Sequence, residues 1–170
     1  MKSDFADDND RSQAYARVRQ AIGQLARLPP DPRNWRPNLV LLPQGSPEPA
    51  RLLEYALLLG SRHGIVSRVT FVPGRPEEAM AKRDAELARL LKATPEGAVE
   101  LLEEVIVAPD PEAVLPVFLQ AHAMGPLKPN LAVLGYPGGT TPKAAFAARL
   151  RALASQIGRA SCRERVWTVV

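Results

Sequence analysis

The sequence predicts an α/β fold in which a mostly parallel sheet carries helices on both faces. Three observations predict it. Four short apolar runs, at 38–42, 65–72, 103–108 and 130–135, alternate with segments of helical period, the pattern of successive βαβ units. Runs such as Leu39-Val40-Leu41-Leu42 are continuously apolar, as suits strands buried on both sides. Pro, Gly or Asn punctuates nearly every boundary.

Taken in order, residues 1–11 are polar and acidic and are expected to be disordered. From Ser12, the residues Ala14, Val18, Ala21, Ile22, Leu25 and Leu28 recur at helical spacing, decorated by Arg11, Arg17, Arg19 and Arg27. Pro29, Pro30 and Pro32 end that helix, so 12–32 reads as a helix and a Pro-rich bend. Two roles stay open for it: a helix lying on its own domain, or a basic connector leading away from a membrane surface. The first strand, 38–42, runs into Pro43-Gln44-Gly45-Ser46, and a helix over 49–64 has Gly64 as its C-cap. A strand over 65–72 closes at Pro73-Gly74. Residues 76–92 form a charged helix with Ala79, Met80, Leu87, Leu90 and Leu91 apolar. Thr94 and Pro95 start a short helix as N-cap and first residue. Strand 103–108, helix 111–125 ending at Gly125, strand 130–135 and helix 142–155 complete the pattern, giving a Rossmann-like three-layer arrangement. Arg36-Pro37-Asn38 and Lys128-Pro129-Asn130 each launch an apolar strand, Pro fixing the entry and Asn supplying turn hydrogen bonds.

The chain of 170 residues is one domain's length, and 46% hydrophobic with 24% charged residues excludes wholesale disorder. No apolar run approaches the roughly 18 residues of a membrane span. One Cys excludes a disulfide framework and a Cys-x-x-Cys metal site, and two distant His leave no expected metal site. Residues 157–166, IGRASCRERV, resemble the conceptual translation of a sequencing adapter. On that resemblance 157–170 is non-native read-through, outside the fold, and the native α/β chain is truncated at its C-terminus with one sheet edge unpaired. The tail carries a net +2 of the chain's +4, so the basic balance gives no argument for nucleic acid as a partner.

Little catalytic chemistry is available. His63 reads as a last-turn residue complementing a helix dipole and His122 as a packed helix residue. Neither has a nucleophile or carboxylate at a recognised spacing, so no catalytic residue and no enzymatic activity is expected. The loop Gly135-Tyr136-Pro137-Gly138-Gly139-Thr140-Thr141 follows a strand and precedes a helix, where α/β folds bind phosphates. It lacks the P-loop lysine and the Gly-x-Gly-x-x-Gly spacing. Universal-stress-type domains place Gly-x-x-Gly here, which Gly135 and Gly138 match, but Ala148-Arg149 stand where their Gly-Ser/Thr continuation falls. A plain capped loop and a nucleotide site using Gly135, Gly138, Gly139 and Thr140 both stay open.

Two stretches together resemble a known family. Asn34-Trp35-Arg36-Pro37-Asn38 resembles the entry into the cytosolic C-terminal domain of cation–chloride cotransporters and their bacterial, permease-like relatives. Gly125, then Lys128-Pro129-Asn130, then Gly135-Tyr136 resembles that domain's second signature. Leu131 departs from it, as does Pro43-Gln44-Gly45. The resemblance implies a universal-stress-like regulatory domain over 33–156, joined by a connector at 12–32 to its own transmembrane domain, which this chain lacks. It implies a homodimer at the cytoplasmic face of the membrane that contacts no transported ion. The rival is a free-standing nucleotide-binding protein of universal-stress type; an enzyme on the same scaffold lacks a constellation to run it.

Overall fold

The computed structural model describes residues 3–29, 33, 35–60, 63–94, 101–136, 143–157 and 165–169. It divides into two compact units, Met1–Trp35 with Ala123–Lys128, and Arg36–His122 with Pro129–Val170.

The larger unit is an α/β body. Its elements are β1 (Asn38–Leu42), α2 (Pro49–Gly60), β2 (Ile65–Pro73), α3 (Pro76–Ala93), β3 (Leu101–Ala108), α4 (Pro111–Ala121), β4 (Leu131–Gly135), α5 (Lys143–Ile157) and β5 (Arg165–Val169). The sheet has five strands in the order β3-β2-β1-β4-β5, every neighbouring pair parallel. The predicted α/β class, a parallel sheet flanked by helices, is what forms. Alternation along the strands splits the core in two. Val40, Leu42, Ala132 and Leu134 face Leu115, Leu119 and Leu153 of α4 and α5. Leu39, Leu41, Leu131 and Val133 face Leu52, Leu53 and Ala56 of α2. Both faces of β1 are therefore buried, which is why its sequence is apolar without alternation. Truncating a residue such as Leu41 to Ala would cost roughly 2–5 kcal/mol.

The smaller unit holds α1 (Ser3–Leu25) and the segment 123–128. After α1 the chain tightens, Arg27 N–H donating to Gln24 O (3.0 Å) and Leu28 N–H to Leu25 O (3.3 Å). In the other segment Met124 and Leu127 exchange backbone hydrogen bonds of 3.2 Å around Gly125, whose φ is 61°. A Cβ there would also lie 3.4 Å from Ile22 Cγ2.

Several boundaries differ from the sequence reading. The stretch expected to be disordered is helical from Ser3, and acidic residue types near a helix N-terminus are those its dipole favours. Helix α2 is described to Gly60, residues 61–62 lie outside the described residues, and Gly64 N–H donates to Gly60 O (3.0 Å). Gly64 is small because a Cβ would lie 2.5 Å from the Pro37 ring and 2.7 Å from its carbonyl. The helix ending at Gly125 stops instead at Ala121, since Gly125 is committed to the turn before Pro126. The segment after Pro95 falls among 95–100, outside the described residues, and Thr94 itself sits with its hydroxyl 2.9 Å from both Leu90 O and Glu103 Oε1. The tail set aside as lying outside the fold supplies β5, which pairs along all of β4. The β4 edge expected to be open is therefore covered, because Arg165-Val166-Trp167-Thr168-Val169 is rich in β-formers. Among the described residues no helix is long and apolar enough to cross a membrane.

Candidate functional site

In a sheet ordered β3-β2-β1-β4-β5, the connection from β1 travels to one side and that from β4 to the other. The chain diverges between the carboxyl ends of β1 and β4, the switch point where open α/β sheets form a crevice. The first wall is the turn after β1. Ser46 N–H donates to Pro43 O (3.1 Å), and Gly45 has φ 80°, a conformation that favours glycine. Ser46 Oγ accepts from Glu48 N–H (3.2 Å) as the chain enters α2. Gln44 anchors the turn to β2: oriented to donate to Val69 O at 3.3 Å, its amide also accepts from Phe71 N–H.

The second wall begins at Gly135. A Cβ on Gly135 would stand 2.3 Å from Ser46 Cβ, 2.8 Å from Ser46 Oγ and 2.9 Å from Ser46 Cα. Only glycine lets the two walls approach this closely. Tyr136 turns away to pack edge-on against Phe146 of α5, the ring centroids 5.0 Å apart, which fixes where the following loop departs. Gly138, Gly139 and Thr140 lie outside the described residues. On the α2 side, Arg51 pairs with exposed Glu48 at 3.2 Å and sits 5.9 Å over the Tyr55 ring. Tyr55, and then Glu48, hold its guanidinium charged beyond its ordinary range.

The motif residues converge on the opposite, amino end of the same strands. Asn130 Oδ1 accepts from Asn38 N–H (2.9 Å), and Asn130 Nδ2 donates to Arg36 O (2.7 Å). The Asn130 N–H donates to Asn38 O (3.0 Å), and Ile65 N–H to Pro37 O (2.9 Å). Thus Arg36, Pro37, Asn38 and Asn130 are brought together as a clamp joining β1, β2 and β4, with Pro129 buried beside them. Gly135 is the last of the five residues of β4 that follow Asn130, roughly 16 Å of strand away from the clamp. Trp35, Gly125 and Lys128 belong to the smaller unit, and Asn34 lies outside the described residues.

The two histidines have structural surroundings. His63 is exposed beyond the end of α2. His122 is the C-cap of α4 rather than a helix residue, its N–H donating to Phe118 O. Its ring lies 4.7 Å from that of Phe118, and Nδ1 is 3.4 Å from Glu104 Oε2. Among the described residues no group of three or more His, Cys, Asp or Glu could hold a metal ion. Sequence reading missed Gln44 and Ser46, although the turn signature Pro-Gln-Gly-Ser points to them.

No family model matches the chain, and no curated protein matches it. Among solved structures, the chain is similar to a universal stress protein crystallised in complex with cAMP. The identity is 20%, over 79% of this chain and 96% of that one, with a TM-score of 0.43. The α/β assignment itself rests on the strand order and the parallel pairing.

Proposed function

We propose that this chain is a non-enzymatic binding module that takes an adenine nucleotide in the crevice between the carboxyl ends of β1 and β4. The observation that carries this reading is the contact of Gly135 with Ser46, which joins two diverging loops where a side chain on residue 135 would hold them apart. A phosphate suits this position because loop N–H groups and a helix N-terminus supply partial positive charge without a basic side chain. The sequence that follows holds Gly138, Gly139 and Thr140, two residue types with no side chain to block a ligand and one with a hydroxyl. Titration calorimetry with ATP, ADP, AMP and cyclic AMP tests the reading. At least one should give saturable heat, and Gly135→Val should abolish it while leaving the circular dichroism unchanged. No heat from any of the four overturns it.

A second reading is supported by a different observation. The unit containing α1 is compact in itself, and Tyr15, Val18 and Leu25 of α1, with Leu28 just past its end, are exposed. A connector helix joining a regulatory domain to the membrane part of a cation–chloride cotransporter would carry such a face, at the cytoplasmic side of the membrane. Genomic sequence continuous with Met1 and encoding hydrophobic segments would support it; an in-frame stop followed by a ribosome-binding site would overturn it.

A further inference from the structure

We infer that Gln44 is the positioning residue of the crevice: its side chain forms the last rung between β1 and β2, which frees the backbone to set Ser46 against Gly135. The inference rests on reading that crevice as a binding site, and deepens it by naming what builds the first wall. Ile65 N–H donates to Pro37 O, and the β1–β2 register runs from Asn38↔Ile65 to Leu41↔Arg68. In a parallel ladder the backbone groups of alternate residues face the same neighbour. After Pro37, Leu39 and Leu41, the next rung therefore falls to residue 43, in register with Thr70. A residue there would donate its N–H to Val69 O and accept from Phe71 N–H. Position 43 is proline, which has no N–H to give. Its carbonyl is engaged in the turn, accepting from Ser46 N–H at 3.1 Å.

Val69 is 0% exposed and Phe71 8%, so a backbone C=O and N–H left unpaired here would be costly. A carboxamide carries the same donor and acceptor as a peptide group, and that of Gln44 meets both partners. Its Nε2 donates to Val69 O at 3.3 Å and its Oε1 accepts from Phe71 N–H. The side chain thus completes the ladder while the main chain leaves it one rung early. A backbone rung at 43 would swing that carbonyl toward β2 and away from Ser46. With the amide of Gln44 in its place, the carbonyl stays in the turn and Gly45 takes φ 80°. Ser46 Cα, Cβ and Oγ then arrive where only a glycine at 135 fits.

Amide hydrogen exchange read by NMR on the full chain, with titration calorimetry against ATP, ADP, AMP and cyclic AMP, tests this. Gln44→Met keeps the length of the side chain and removes both hydrogen bonds. Phe71 N–H should lose about tenfold or more of its protection, as for one net hydrogen bond, and the Ser46 and Gly135 amide signals should shift. The nucleotide that the wild type takes should bind at least about tenfold more weakly. Pro43→Val/Gln44→Met restores a backbone N–H at 43. It should return the protection of Phe71 and leave both the weak binding and the Gly135 shift unrepaired, because the carbonyl at 43 now serves β2. Affinity that returns together with protection would make Gln44 a structural residue only and overturns the proposal. So does a Gln44→Met chain in which Phe71 stays protected and the Ser46 and Gly135 signals do not move. A wild type that binds none of the four nucleotides defeats the crevice reading alone, and the exchange and shift pattern still decides whether Gln44 sets the wall.

Discussion

Asn130 holds together two strands that start 93 residues apart in sequence. Its side-chain oxygen takes Asn38 N–H and its amide reaches Arg36 O, so one residue satisfies backbone groups beyond the first rung of the β1–β4 ladder. Asn130→Ala removes both of these bonds and should cost about 1–3 kcal/mol. Asn130→Asp keeps the acceptor, loses the donor to Arg36 O and should cost less; urea unfolding of the pair distinguishes them. Gly135→Ala acts differently, forcing a methyl into the Ser46 backbone, and overpacking of this kind should cost about 1–3 kcal/mol. The repeated Pro-Asn was legible in the sequence as a strand entry, because Pro and Asn act locally. That Asn130 bridges to β1 was not, because nothing in a linear pattern reveals which strands are neighbours. Gly135 stood out for its loop, yet the contact that requires it comes from Ser46, which is equally remote.

At the level of elements, β2 and β3 are fixed in register by charge as well as by apolar packing. Arg68 and Glu103 are paired in the ladder. Arg68 Nε donates to Glu103 Oε2 at 2.7 Å and its Nη2 donates to Oε1, with the Glu103 side chain 1% exposed. Removing one partner strands a buried charge, so Glu103→Leu alone should destabilise by about 3–5 kcal/mol. The double variant Arg68→Met/Glu103→Leu should recover most of that loss, because the desolvation penalty disappears with the pair. Thermal unfolding of the three proteins measures both outcomes. The outer edge of β3 is guarded in turn by Arg83, whose Nε donates to Val105 O at 3.2 Å and so occupies a carbonyl that another strand could claim. On α3, Arg89 donates to Glu86 and holds its carboxyl below the usual range. That stabilisation is fully present above the unfolded-state value and is lost as pH falls through the lowered one. Glu86→Gln should therefore lower stability slightly at neutral pH, leave it almost unchanged below the lowered value, and so flatten the acid limb of the stability profile. The elements themselves were largely legible, since β1 and its apolar run coincide and α3 ends one residue later than its pattern predicts. The failures were at ends governed by tertiary contact. The acidic start of α1 looked like tail composition, and Gly125 looked like a cap because its turn partner Leu127 lies beyond it.

For the whole molecule, the sheet's completeness depends on its last strand. Every residue of β4 is buried, and β5 pairs with it from Leu131↔Arg165 to Gly135↔Val169. The pairing of this tail depends only on backbone groups and on the β-forming residue types Val166, Trp167, Thr168 and Val169. An apolar strand such as Leu131-Ala132-Val133-Leu134, once its edge is open, is a template for any chain that reaches it. Ending the chain after Ile157 should therefore lower Tm by roughly 5–10 °C, as expected for losing a few kcal/mol in a chain of this size. It should also make the protein scatter light at concentrations where the full chain stays clear. Scanning calorimetry with parallel light scattering reads both effects. An unchanged Tm would mean that β4 closes the sheet without help and that β5 adds no stability. Loss of solubility at constant Tm would assign β5 the narrower task of shielding an edge.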